Sequence, residues 1–444
     1  MPIKHLHCLS DDHAKIVEGI MQAALQAADP RAALRAALAS DAVKHALDLP
    51  HARRLRVVSI GKAAHAMTRG VLDVFGDRID GGQILAKHAE TGLPERFRTL
   101  TGDHPVPGEN SVSGARALLD FLSGGQPGDV VIFLISGGGS ALMTLPVDGV
   151  TLDDMQNLTR LLLACGATIE EMNILRKHLD QVKGGRLAQA AAPARFITFI
   201  LSDVIGSPLD VIASGPTVPD STTYADALAV IDKYSLMDRI PASIRQVLVQ
   251  GARGERVETL KAGDPLLDGA LNQVVSSNLH AAQAALAQAR AEGLNALLLT
   301  SHLQGEASQV GQVMAAVLKQ IDETGQPLAR PACIIAGGET TVTLRGKGLG
   351  GRNQELALAA VPLLDGIPNA ALLAFGTDGE DGPTGAAGAV VTGETLSKAR
   401  AAGLDPAQYL AENDSFRFFQ QIDQQIITGP TGTNVNDLTF LFAF

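Results

Sequence analysis

Two patterns of apolar and polar positions alternate along the chain. Short unbroken apolar runs ending in glycine predict strands buried on both faces of a parallel sheet. Longer stretches with apolar residues three and four apart predict helices that bury one face. The clearest run, Val130–Ile135, passes directly into Ser136-Gly137-Gly138-Gly139-Ser140. Three glycines put no Cβ in the way of a ligand, and such a loop can aim several backbone N–H groups at one anion. Ligands of open α/β sheets lie at the carboxyl ends of the strands. This loop is therefore the candidate floor of a phosphate or carboxylate site.

The same pattern organises the rest of the first half. Residues 12–49 carry helical spacing, with Ile16, Ile20, Ala23, Ala24 and Ala27 apolar and Pro30 as an interruption. Residues 55–67 read as strand, Gly61 turn and helix, which sets Lys62 at a helix start. P-loop spacing is absent, because Arg56 stands where that motif needs its first glycine. A cation there opposes the helix dipole, so an anionic partner is expected. A short strand at Gln83–Ala86 precedes a stiff loop at 101–111, whose His104 is read as holding the turn rather than meeting substrate. Helices at 152–164 and 168–181 lead into a basic cluster of Arg176, Lys177, Lys183 and Arg186. Lys183 to Arg186 opens a further helix, a good place for an anion. A strand from 196 ends at Asp203, the usual position of a catalytic or Mg²⁺-linked carboxylate. A long loop rich in Pro and Gly follows, then helices over 224–262 broken at Pro241, and a polar stretch at 251–268 that reads as a linker.

The second half repeats the strand–helix alternation. A strand at 273–278, a helix at 279–292, a strand from 296 and a helix to about 323 read as a βαβ-like unit. Residues 332–344 place Glu339 after another strand, and 345–361 form a glycine-rich loop opening a helix with Arg352 and Asn353. Residues 371–391 set Asp378 and Asp381 after a strand, and Asn434–Asp437 precedes a terminal one.

Length and charge narrow the function classes. A chain of 444 residues is too long for one core. The expected division is an N-terminal domain over 1–255 and a C-terminal domain over 265–444, with the last strand able to return to the first. A net charge of −11 argues against a general nucleic-acid binder. No run of 18 apolar residues suggests a membrane span. The polar N-terminus and the widely spaced Cys8, Cys165 and Cys333 fit a cytoplasmic enzyme without a cysteine metal site.

Side chains at neighbouring strand ends converge. The inventory is two cations, Lys62 and Arg352, with the carboxylates of Asp203, Glu339, Asp378, Asp381 and Asp437 and glycine-rich amide loops. Phosphoryl transfer needs that set: cations and amides for the phosphate oxygens, carboxylates for Mg²⁺ or another divalent cation. The rival is a dehydrogenase, because Gly346–Gly351 fits G-x-G-x-x-G. Its context is wrong, with only Asp365 nearby and no opening βαβ unit. No G-x-S-x-G elbow occurs. A non-catalytic sugar or acid sensor would need the cleft but not the surplus carboxylates.

Taken together, several motifs carry a family resemblance. SIGKAAHAM (59–67), TGDHPVPGENS (101–111), LISGGGSALM (134–143), NILRKHLDQVKGGRLA (173–188), LSDVIGSPLDVIASGPTVPD (201–220), GGETTVTLRGKGLGGRNQELALA (337–359), FGTDGEDGPTGAAGA (375–389) and GPTGTNVNDL (429–438) resemble glycerate 2-kinases with a C-terminal MOFRL domain. The resemblance spans roughly 15–442. It implies an α/β fold: a larger Rossmann-like three-layer N-terminal domain, a smaller C-terminal α/β domain and an active-site cleft between them. It implies ATP-dependent phosphorylation of D-glycerate at the 2-hydroxyl, with a divalent metal. Lys62 and Arg352 align with the family's catalytic lysine and arginine. Strand-end position ranks Asp203 and Asp378 first as base or metal ligand, with Glu339, Asp381 and Asp437 near the nucleotide. Ser136, Gly137, Gly138, Gly139, Ser140, Lys183, Arg186 and Asn353 are the expected substrate or phosphate contacts. Some family members carry the label hydroxypyruvate reductase, so NAD(P)H-dependent reduction is the alternative. A homodimer stays open.

Overall fold

The computed structural model describes residues 6–48 and 51–444. Residue 49, the end of the expected 12–49 helical stretch, and residues 1–5 of the expected N-terminal domain lie outside the described residues. The chain divides into two compact units, Pro30–Val275 and a second that joins Met1–Asp29 to Ser276–Phe444.

The unit Pro30–Val275 is built on a six-stranded sheet of β1 (Leu55–Ile60), β2 (Gly81–Ala86), β3 (Phe97–Thr101), β4 (Val130–Ile135), β5 (Arg195–Leu201) and β6 (Leu271–Ser276). Their order is β3-β2-β1-β4-β5-β6. The pairs from β3 to β5 are parallel. β1 and β4 are buried along their whole length, as unbroken apolar runs require. The chain winds outward from β1 to β2 and β3, then returns to lay β4 on the other side of β1. That reversal is a topological switch point, where α/β proteins bind ligands. Val58, Val131 and Phe133 pack with Leu118, Leu122 and Leu187 of covering helices, and full burial of side chains this size is worth about 1.5–3 kcal/mol each. A separate helical core gathers Leu158, Leu175, Tyr224 and Leu248. Thr151, Thr168 and Thr223 cap three of its helices through reciprocal bonds with the acidic residue three positions on.

The second unit carries β7 (Asn295–Leu303), β8 (Ala332–Gly338), β9 (Ala370–Gly376), β10 (Gly388–Thr392), β11 (Gln425–Ile426) and β12 (Asp437–Ala443). Their order is β11-β10-β9-β12-β8-β7. β7 and β8 are parallel, whereas β12 runs antiparallel to both β8 and β9. Helices Ala307–Thr324 and Arg352–Leu364 bury Met314, Leu318, Leu356 and Val361 against this sheet. Helix Asp11–Ala27 packs on helix Asn278–Ala291.

Four features differ from the sequence expectation. The strand expected at 273–278 to open the second βαβ unit lies in the first sheet, because an apolar run does not specify its sheet. β3 and β10 were not foreseen, each being a five-residue strand beside a turn-rich segment. The compact units place residues up to Val275 with the first sheet and the first helix with the second, away from the 255/265 division. The last strand lies inside the second sheet, between β9 and β8. Among the described residues no helix is long and apolar enough to cross a membrane.

Candidate active site

The switch point joins two loops. The register pairs Ile60 with Ile135, so Gly61 and Ser136 leave the sheet side by side. The Lys62 N–H donates to the Gly137 carbonyl at 2.9 Å, and the Ala63 N–H donates to Ser136 Oγ at 3.0 Å. Gly61 has φ +119°, and a Cβ there would stand 2.4 Å from the Ser136 carbonyl oxygen, so only glycine fits. Lys62 emerges exposed from this stitched pair.

The triplet after β4 is hemmed in by functional groups. A Cβ on Gly137 would fall 1.8 Å from Asp203 Oδ2, so the carboxylate at the end of β5 lies directly against the loop. A Cβ on Gly138 would stand 3.1 Å from the His104 ring and 3.4 Å from Lys62 Cγ. Burial lowers the His104 pKa, and the charges of Lys62 and Lys87 lower it further. The His104 imidazole beside Lys62 is thus biased toward its neutral form. Ser140, at the end of the loop, has its Oγ 2.9 Å from Ser214 Oγ. The parallel winding thus gathers Lys62, His104, Asp203 and Ser140 around three glycines.

The second unit builds its own charged cluster. Asp437 pairs with Gly338 and Gly376 across β12, which brings the ends of β8 and β9 to the start of β12. Arg352 opens helix Arg352–Leu364 and meets Asp437 through Nε to Oδ2 at 2.5 Å and Nη2 to Oδ1 at 3.0 Å. Its Nη1 donates to Glu339 Oε1 at 2.6 Å. Three of the five guanidinium N–H groups are used, and two have no partner among the described residues. Burial pulls the Arg352 pKa down, but hydrogen bonding and attraction to Asp437 leave it raised. Burial pushes Asp437 up to about 6 against the lowering pull of Arg352.

Comparison with known proteins decides what this arrangement belongs to. Residues 16–249 match a domain family of unknown function, DUF4147, and residues 332–437 match the MOFRL family. D-glycerate 2-kinase from Thermotoga maritima is 42% identical over 89% of this chain and 92% of its own length. Glycerate 2-kinase from Pyrococcus horikoshii is 39% identical over 94% of each chain. The chain belongs to the glycerate 2-kinase family. The crystal structure of glycerate kinase from Thermotoga maritima superposes with a TM-score of 0.88 at 39% identity, covering 98% of this chain and all of that one. A relative from Agrobacterium vitis, 41% identical over 96% of this chain and 93% of its own length, bears the name putative hydroxypyruvate reductase.

Within this glycerate 2-kinase family member, several of the expected contact residues have polar groups engaged by the protein itself. Ser136 is buried, with Oγ spent on the Ala63 N–H and the Ile60 carbonyl. Lys183 is only 1% exposed; its ammonium is held by Asp180 at 2.7 Å, the Met143 carbonyl at 2.5 Å and Thr144 Oγ1 at 3.3 Å. Arg186 donates to the carbonyls of Lys177 and Asp180. At these two positions the basic run 176–186 ties loops together, through the whole ammonium of Lys183 and through Nη1 of Arg186. Asn353 and Gln354 bind Asp381, which caps helix Arg352–Leu364 through their backbone N–H groups at 3.0 and 2.8 Å. Asp381 and Asn353 are both buried and hold Arg352's helix in place.

The glycine loop that suggested a dinucleotide site is also occupied. Amides of Arg345 and Gly346 donate to Asn413 Oδ1, that of Gly348 to the Glu412 carbonyl and that of Leu349 to Asp414 Oδ1. Those N–H groups are not available to a pyrophosphate. Two residues outside the expected set, His104 and Ser214, also lie against the glycine loop. The long Pro/Gly loop after Asp203 was the only signal for Ser214.

Among the described residues no group of three or more His, Cys, Asp or Glu forms a metal cage. Mg²⁺ needs none: it is commonly held by one or two carboxylates together with substrate phosphates. Asp203, set against the bare Cα of Gly137, and the partly exposed Asp378 after β9 are hard oxygen donors of that kind.

Proposed function

We propose that the protein transfers the γ-phosphoryl group of ATP to the 2-hydroxyl of D-glycerate, giving 2-phosphoglycerate and ADP. The observation that carries this reading is the gathering of Lys62, Asp203 and the Gly137–Gly139 loop at the switch point, in a chain 42% identical to a D-glycerate 2-kinase. The loop amides and the Lys62 ammonium stabilise charge on the transferring phosphoryl group. Asp203 accepts the proton of the attacking hydroxyl. Arg352, its guanidinium held in orientation by Asp437 and Glu339, is the second catalytic cation in this reading. Mg²⁺, which neutralises phosphate charge when bound, would be held by a single carboxylate of the Asp203 or Asp378 kind together with the phosphates of ATP. The substrates are small molecules in this reading, and the three cysteines, all free, suit a cytoplasmic enzyme.

The test is ADP release from ATP with D-glycerate, compared between wild type and Lys62→Ala. Stabilisation of the transition state requires kcat and kcat/KM to fall together. A rise in KM with kcat unchanged would remove Lys62 from the chemical step.

A further inference from the structure

One cation of the basic run, Arg176, is bonded to the rest of the protein only weakly. Lys177 is paired with Asp220 at 2.7 Å and Lys183 with Asp180 at 2.7 Å, and Arg186 donates through Nη1 to two carbonyls. Arg176, on helix Ile169–Leu179, is partly buried and pairs with no carboxylate among the described residues; its one hydrogen bond runs from Nη1 to Asn173 Oδ1 at 3.5 Å. The nearby Asp180 carboxylate is committed to Lys183 and to the N–H groups of Leu145 and Val182. Desolvation accordingly lowers the Arg176 pKa. Withdrawing a cation from water without a counter-charge is unfavourable, which leaves a guanidinium disposed to meet an anion.

A second line of contacts leads from Arg176 to the glycine loop. Asn173 Oδ1 also accepts from Ser214 Oγ at 3.0 Å, and Ser214 Oγ lies 2.9 Å from Ser140 Oγ. Asn173 uses its oxygen in both contacts, and among the described residues its amide N–H groups have no acceptor. The backbone around Ser214 is strained, with Ala213 at φ +51° and Ser214 at φ +60°. Such residues cost of order 1–3 kcal/mol each and collect at ligand sites. The Ala213 methyl fits where Gly139 lacks one, since a Cβ there would stand 2.8 Å from it.

We propose that Arg176, with Asn173, Ser214 and Ser140, holds the carboxylate of the hydroxy-acid substrate. This rests on the kinase reading and names the subsite that selects the acceptor. One positive charge with amide and hydroxyl donors suits a monoanionic carboxylate, and a guanidinium fork matches its two oxygens. A triphosphate would call for more cations than this set contains. Lys62 stands at the other side of the loop, against Gly138, where the phosphoryl group is transferred.

The test uses Arg176→Gln and Arg176→Lys, with folding checked by thermal unfolding. Calorimetric titration with D-glycerate alone gives Kd, and steady-state kinetics give KM for D-glycerate and for ATP. The expected result is a rise of roughly 10- to 100-fold in Kd and KM for D-glycerate, with KM for ATP within about twofold. The preference for D-glycerate over glycerol, which lacks the carboxylate, should shrink by a similar factor. If the Arg176 variants do not fold, Ser214→Ala should show the same split at smaller size. A raised KM for ATP with D-glycerate binding intact would assign the subsite to nucleotide phosphate and overturn the proposal. Lost thermal stability with unchanged D-glycerate binding would overturn it too, leaving Arg176 a structural role. A wild-type enzyme that releases no ADP with D-glycerate would refute the kinase reading itself, which separates the two failures.

Discussion

Arg352 and Asp437 form a two-pronged ion pair, 2.5 and 3.0 Å, in which β12 offers a carboxylate to the first residue of helix Arg352–Leu364. A planar fork fits this partner and Glu339 at once, and an ammonium does not. Arg352→Lys should therefore lose at least about 100-fold in kcat/KM, despite keeping the charge. Turnover near that of wild type would show that charge alone suffices.

The same pair makes the enzyme sensitive to acid. Asp437 faces Arg352, the side chain of Asn353 and the negative charge of Asp381, and burial raises its pKa to about 6. Below that pH it takes up a proton and its hold on Arg352 weakens, so kcat/KM should fall on the acid side of about pH 6. Its stability contribution runs the other way. Because the folded pKa lies above the unfolded value of 3.8, the folded chain binds the extra proton between the two. The contribution is complete below the unfolded value and is lost as pH rises through about 6. Asp437→Asn should remove that slope from the stability–pH curve and flatten the acid limb of activity. An unchanged acid limb in Asp437→Asn would place the titrating group elsewhere.

Gly137→Ala separates position from backbone strain. Gly137 has no positive φ, so alanine suits its backbone, but the new methyl lands on Asp203 Oδ2. The carboxylate is the flexible end of a side chain and can swing aside. The expected result is a loss of about 100-fold or more in kcat/KM with a fall of only a few degrees in Tm. Gly61→Ala should instead lower stability, because there the methyl meets the Ser136 backbone at positive φ. Full activity in Gly137→Ala would mean that Asp203 works equally well displaced.

Lys183 is the buried counterpart. Lys183→Met leaves Asp180 inside without its cation, a change that typically costs about 3–5 kcal/mol. Thermal unfolding should drop by roughly 10 °C. An unchanged Tm with a raised KM would return Lys183 to the substrate site.

The parts legible in the sequence were those set by local pattern. Val130–Ile135 is apolar without a break because β4 is covered on both faces, and glycine must follow because Asp203 and Ala213 crowd the turn. Lys62 and Arg352 stand at strand-to-helix and loop-to-helix junctions, which periodicity marks. What stayed hidden depends on long-range pairing. QVVS reads as a strand wherever it docks, so its membership of the first sheet left no local trace. The packing of helix Asp11–Ala27 on helix Asn278–Ala291 is equally non-local. Arg176, Lys177, Lys183 and Arg186 look alike in sequence. Only the placement of Asp180 and Asp220 separates the two lysines, which are paired with carboxylates, from the two arginines, which are not.

The position of the transferred phosphoryl group tests the account most directly. ATP, Mg²⁺ and D-glycerate are incubated with the enzyme, and the product is passed to enolase with and without a phosphoglycerate mutase. The account predicts phosphoenolpyruvate without mutase, because the 2-hydroxyl is the one that attacks. Phosphoenolpyruvate only when mutase is present would mean transfer to the 3-hydroxyl, contradicting the proposed pose of the acid at Arg176 and Asp203.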